Sequence, residues 1–186
     1  MNMGVPQGSI LGPVLFLLYI NDIERAYSTA KFTLYADDTS LQLSDKSQTV
    51  LENKCCELLQ SLSNWFSHND LYFNVAKTQV VRFHHPKKHV QQLSLSLNNL
   101  PLLQTNKVKF LGVTIDEHLN WKAHCTELVS KLHSTIFLIK NLKHVLTLPQ
   151  IINLYHSEIS SRLRYGICYW GHSSFASKVL VAQKRL

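Results

Sequence analysis

Cysteine is scarce and thinly spread in this chain. The four thiols are Cys55, Cys56, Cys125 and Cys168, and no two are spaced C-x-x-C, so the sequence offers neither a zinc ribbon nor a disulfide framework. That pattern fits a reducing intracellular compartment, nuclear or cytoplasmic. With only 6 glycines and 5 prolines in 186 residues, the composition argues against disorder. Long hydrophobic runs are missing too. The longest, Val14 to Ile20, falls far short of the ~20 residues that span a bilayer. No basic leader with a cleavage site opens the chain, so no secretory signal is expected. Acids are rare after residue 80. Residues 81–186 carry fourteen Lys/Arg against four Asp/Glu, whereas residues 1–80 carry five against eight.

What is present is a foldable core. Hydrophobic residues make up 45% of the chain, enough for one domain or a domain with a helical appendage. The net charge is +7, from an acidic first part and a strongly basic second part. Such asymmetry suits a protein that holds cations in one place and a polyanion in another, and it also suits ordinary solvated basic faces.

Periodicity gives a coarse map. Residues 9–26 read as a buried helix capped by Ser9, with Leu11, Val14, Leu15, Leu18 and Ile23 in helical repeat. "KFTLYADDTSLQL" (31–43) alternates polar and apolar around a turn, as a hairpin does. Residues 49–66 form an amphipathic helix with the stripe Leu51, Cys55, Leu58, Leu62 and Trp65 and a Thr49–Glu52 capping box. Segments 71–83, 93–97 and 107–115 read as strands, the last two pairing across 98–106. After residue 120 the pattern is helical: 121–142, a helix opening at Thr147, an aromatic break "YGICYWG" (165–171) and a last helix from Ser177. The fold class is therefore α+β followed by helices.

Asp37 and Asp38 are the first candidates for chemistry. At a hairpin tip two neighbouring carboxylates can converge, repel, and gather a cation. Mg²⁺ takes carboxylates, water and substrate phosphates. Asp is also a common turn former, so the pair alone leaves both readings open.

The order of elements adds more. A Gly-Pro-Gln-Gly-type loop enters an apolar helix, a Tyr-x-Asp-Asp hairpin follows, and then a helix and a lysine before a strand. The chain resembles the palm of reverse transcriptases, most closely those of non-LTR retrotransposons. "GVPQGSILGPVLFLLYINDI" (4–23) looks like motif B, "YADD" (35–38) like motif C, "NVAKT" (74–78) like motif D, and "KFLGVTID" (109–116) like motif E. The resemblance divides the chain into a partial palm, 1–118, a split βαβ with an antiparallel sheet and helices on one face, and a thumb-like helical region, 119–186.

It implies RNA-directed DNA polymerase chemistry with Mg²⁺, or Mn²⁺ in its place, acting on an RNA template, a DNA primer and deoxynucleotides, with no membrane partner. It assigns metal binding to Asp37 and Asp38. Lys77 falls beside the leaving phosphates. Gln7, Gly8 and Tyr35 border the nucleotide and template, and Phe110, Leu111 and Gly112 grip the primer. The family's remaining carboxylate belongs to motif A, on a strand before motif B. Only Met1, Asn2 and Met3 precede motif B here, and Asp22, Glu24 and Asp45 are not placed like it. The fingers would also precede motif B. As it stands the chain is expected to be catalytically incomplete. Two other readings are a non-catalytic nucleic-acid-binding remnant and a coding fragment without a selected role.

Smaller signals read as structure. "RFHHPKKH" (82–89) clusters His84, His85 and His89 without a Cys or carboxylate close in sequence, which favours a surface loop over a metal site, and its Arg82, Lys87 and Lys88 could touch nucleic acid. Trp65, Trp121 and Trp170 read as core anchors. His124-Cys125 lacks a third partner in sequence, which argues against a cysteine nucleophile.

Overall fold

The computed structural model describes residues 8–185, which form helices and short strands in two compact units, an α+β arrangement as expected. One unit contains residues up to 78 and 91–103; the other contains 79–90 and 104 onward. Among the described residues the strands pair two by two.

The first unit begins with α1, Gly12–Ile20, and a 3-10 turn, Ile23–Ala26. The single helix expected over 9–26 is thus two pieces. Ser9 is not its cap: Leu11 occupies that position, and Pro13 lies in the first turn, where a missing N–H costs nothing. Asp22 adopts φ −95°, ψ 4°, outside the helical well, and breaks the run. Burial differs as well. Ile20 is the one buried residue of α1, while Ile10, Val14 and Leu18 are 93%, 53% and 70% exposed. An all-apolar helix reads as buried from sequence, but only its Phe16–Ile20 stripe meets this unit's core.

Strands β1 (Lys31–Tyr35) and β2 (Asp38–Gln42) form the expected hairpin, with Phe32 opposite Leu41 and Tyr35 opposite Asp38. Helix α2 runs Gln48–His68. Its Leu58 and Leu62 join Ile20, Ile23 and Phe32 in the core, with Trp65, Phe66 and Phe73 packed against them. The Thr49–Glu52 capping box is absent. Ser47 precedes the helix, its N–H bonds Asp45 Oδ1 at 2.9 Å, and Glu52 instead accepts from Ser94 N–H. An Asx turn has displaced the box. Asp45 also holds Lys54 at 2.8 Å, and that contact lowers its carboxyl pKa.

The sheet expected between 93–97 and 107–115 does not form. Each segment instead folds back on its own neighbour: β3 (Ser96–Leu97) pairs β4 (Leu100–Pro101) in the first unit, and β5 (Lys107–Phe110) pairs β6 (Val113–Asp116) in the second. The turns explain this. Asn98 and Asn99 both take positive φ, 51° and 64°, as do Leu111 and Gly112, 45° and 82°. Two left-handed residues in succession make the tight hairpin turn, and closing two residues costs less entropy than closing nine. Strand content in 71–83 is confined to Gln79–Val80.

The second unit is built on α3, Lys122–Leu142. The helical spacing of Trp121, Cys125, Leu128, Leu132, Ile136 and Ile139 predicts one apolar face; the last five are buried and pack with Ile159, Leu163, Trp170 and Val179. Trp121 packs against this cluster and Trp65 against the other, so all three tryptophans are core anchors. α4 (Leu148–Leu154) starts with a Thr147–Gln150 capping box, passes through a π turn at Tyr155–Ser160, and continues as α5 (Ser161–Arg164). Short α6 (Ile167–Trp170) and α7 (Ala176–Gln183) close the unit, so the aromatic break is partly helical. Arg162 links helices, donating to Thr135 Oγ1 at 3.1 Å and pairing with Glu158.

His124 is buried and neutral in this core. Its Nδ1 accepts the Thr114 N–H at 3.3 Å, and its Nε2 has no protein partner. Burial pushes its pKa below the ordinary value; Glu127 opposes the shift and Lys131 adds to it. The unfolded chain therefore takes up this proton first as pH falls. Stability is full above the ordinary histidine value near 6.5 and declines below it until the folded imidazole also charges. Urea midpoints should fall between pH 7 and pH 5 by more in the native chain than in His124→Phe.

Candidate active site

The β1–β2 turn consists of Ala36 and Asp37. Ala36 carries φ 50°, a left-handed conformation that an L-residue adopts under strain. Asp37 therefore sits at the hairpin tip and Asp38 is the first residue of β2, both exposed, with Tyr35 exposed at the end of β1. The alternation around "YADD" located this hairpin correctly.

The donor set fits one hard cation: two adjacent carboxylates on an open turn, suited to Mg²⁺ that keeps most of its waters. Among the described residues no third histidine, cysteine or acid joins Asp37 and Asp38 within ligand reach.

Of the other predicted residues in this unit, Gly8 lies in a turn before α1 with φ 90°, and nothing stands within 4 Å of where a Cβ would be. Its backbone angle, not crowding, is what favours glycine. Gln7 lies outside the described residues. Lys77 ends a turn held by Asn74, whose carbonyl accepts the Lys77 N–H at 3.1 Å; the side chain is exposed.

In the second unit Phe110, Leu111 and Gly112 form the end and turn of the β5–β6 hairpin. Sequence reasoning missed what rests on it. Tyr165 donates its hydroxyl to the Leu111 carbonyl, and its ring lies 3.3 Å from a Cβ built on Gly112. Gly112→Ala should destabilise the chain by about 1–2 kcal/mol from left-handed strain alone, with the Tyr165 ring displaced. A urea midpoint falling by less than that of an exposed Ala→Gly control would contradict this. Cys125 is buried, and burial raises its thiol pKa, while Ser173 Oγ, 3.7 Å away, lowers it less.

Residues 1–115 match the reverse transcriptase (RNA-dependent DNA polymerase) family. The chain belongs to that family. It is similar to the probable RNA-directed DNA polymerase from transposon X-element of Drosophila melanogaster, 25% identical over 90% of this chain and 19% of that protein. It is similar also to the RNA-directed DNA polymerase from mobile element jockey of the same species, 26% identical over 98% of the chain and 21% of the relative. The probable polymerase from transposon BS is 27% identical over 100% and 22%. The resemblance to non-LTR retrotransposon polymerases agrees with these relatives. The chain spans about a fifth of the length of the curated relatives it matches. No solved structure matches it. No helix among the described residues is long and apolar enough to cross a membrane.

Proposed function

We propose that this chain is the motif B-to-E part of a retrotransposon RNA-directed DNA polymerase, a palm portion (1–118) followed by a thumb-like region (119–186), and that it is inactive as this piece alone. The observation that supports it most is Asp37 at the tip of a β hairpin, inside the segment that matches the family.

In this reading Asp37 and Asp38 hold catalytic Mg²⁺, which supplies activation of the primer hydroxyl and neutralisation of the leaving pyrophosphate. Lys77 presents a compact positive charge to the leaving phosphates. Gln7 and Gly8 shape the pocket of the nascent pair, with Tyr35 beside it. Phe110, Leu111 and Gly112 bear on the primer end, on a turn braced by Tyr165. RNA template, DNA primer and deoxynucleotides are the substrates. Among the described residues no third acid, histidine or cysteine joins Asp37 and Asp38 within ligand reach.

The test is complementation in a template–primer extension assay. The chain joined to the motif A and fingers segment of a related polymerase should extend the primer, and Asp37→Ala in that fusion should not. Extension by the Asp37→Ala fusion would refute the assignment.

A second reading has its own observation. The basic second unit carries a cleft of about 280 Å³ between α3 and α7, lined by His133, Lys178 and Arg185 on its polar side. A non-catalytic nucleic-acid-binding remnant would bind RNA–DNA duplex with affinity that falls steeply with salt and would never extend it.

A further inference from the structure

His84 lies together with Glu117 and His118 in the second unit, more than thirty residues before them in sequence. His84 follows the Gln79–Val80 strand, and Glu117-His118 follow β6. Backbone bonds bring them together: His84 N–H donates to the Glu117 carbonyl at 3.1 Å, and Glu117 N–H to the Asn106 carbonyl at 2.9 Å. Asp116 fixes the turn beyond, accepting from the N–H groups of His118, Asn120 and Trp121 at 3.1, 3.1 and 2.8 Å. Sequence reading set the histidine cluster aside for want of a carboxylate. The fold supplies one, along with a different second histidine.

The side chains are oriented as metal ligands are. Nδ1 of His84 faces the His85 carbonyl and Nδ1 of His118 faces the His84 carbonyl, each at 3.1 Å. A carbonyl can only accept, so Nδ1 is the donor in each contact, which leaves Nε2 as the atom that would ligate a metal in the neutral ring. Those Nε2 atoms point at one carboxylate: His84 at 3.6 Å from Glu117 Oε2, His118 at 3.8 Å from Oε1. Both separations are too long for hydrogen bonds. They are close to the ~3.4 Å between ligand atoms that each sit about 2.0–2.1 Å from a tetrahedral zinc. Each of the three residues has a ligand atom within 4.8 Å of the others, a spread that small side-chain rotations would close. The side chains are 15% to 25% exposed, sheltered yet reachable.

We propose that His84, Glu117 and His118 bind a divalent first-row transition metal, zinc by fit, with water in the fourth position. Two imidazoles and one carboxylate suit zinc and discriminate against magnesium, which prefers all-oxygen sites. The backbone carbonyls behind each Nδ1 are the outer partners that orient ligating histidines. The ion would clip the segment after Val80 to the end of the β5–β6 hairpin, joining two stretches more than thirty residues apart.

The experiment is zinc titration of the chelator-stripped 186-residue chain against a chromogenic competitor, with cobalt absorption as the coordination probe. One zinc per chain is expected, unaffected by excess Mg²⁺, with a visible cobalt band of tetrahedral intensity and a thermal midpoint that rises on zinc addition. Glu117→Gln and His118→Ala should each weaken binding at least about tenfold, since loss of even an outer partner costs 10–100-fold. His85→Ala with His89→Ala should leave it unchanged. Circular dichroism shows which variants remain folded, and the shape-preserving Glu117→Gln decides the matter if His118→Ala does not fold. No zinc uptake by the native chain would overturn the proposal. So would equal uptake by Glu117→Gln, or loss of uptake in the His85/His89 double variant.

Discussion

Purified as 186 residues, the chain should incorporate no deoxynucleotide on an RNA template with a DNA primer, in Mg²⁺ or Mn²⁺. The reason is charge and geometry at the β1–β2 turn. Two divalent ions bring four positive charges, and Asp37 with Asp38 offsets two. No third acid, histidine or cysteine lies within ligand reach of them among the described residues. A single weakly held ion keeps its waters and leaves the other reacting oxygen unassisted. Losing one metal's activation of the nucleophile forfeits several kcal/mol of transition-state stabilisation, and each 1.36 kcal/mol is tenfold in rate. The expected rate is therefore down by a thousandfold or more and indistinguishable from an Asp37→Ala, Asp38→Ala control. Incorporation above that control, lost on Asp37→Ala, would mean that a carboxylate such as Asp22, or one from a second copy, completes the site.

The parts legible in the sequence share a physical feature: their signal is local. The hairpin at 31–42 announces itself by alternation on both sides of a turn, and α3 by six apolar residues at helical spacing, of which Cys125, Leu128, Leu132, Ile136 and Ile139 are buried and Trp121, just before the helix, is half-buried. Errors arose where a pattern had two outcomes. "LSLSL" alternates as a strand should, yet which strand it pairs with depends on Asn98 and Asn99 adopting left-handed φ, and asparagine does so only sometimes. The all-apolar α1 says that it seeks burial without saying what covers it; only the Phe16–Ile20 stripe reaches the core. Thr49 and Glu52 had capping-box spacing, but Asp45 lies close enough to take the Ser47 N–H first.

The candidate site divides in the same way. The position of Asp37 and Asp38 on the hairpin turn was readable because adjacency in sequence is adjacency in space. Tyr165 on the Leu111–Gly112 turn and Glu117 beside His84 were not, because contacts across 54 and 33 residues leave no trace in spacing. The roles of Lys77, Tyr35 and the primer-side turn rest on family resemblance, which fixes identity well and geometry not at all.

Leu132→Ala should be the most damaging single change to the second unit. Leu132 is fully buried on α3, within a cluster that also holds Leu128, Ile136, Ile159 and Val179. Ile159 and Val179 of the same cluster are likewise fully buried, so α3 shares this core with the π turn and α7. Truncation removes the transfer free energy of the lost carbons and leaves a void that rigid packing fills poorly, a combined cost of about 2–5 kcal/mol. Most domains of this size have only about 5–15 kcal/mol to lose. The thermal midpoint of helical ellipticity should drop by roughly 10 °C. Phe137→Ala, on the same helix but 69% exposed, should change it by no more than about 0.5 kcal/mol. The contrast is the test, since helix propensity improves in both substitutions. If the two variants melt together, α3 is not packed through Leu132, and the basic cleft beside α7 loses the core that positions its lysine and arginine.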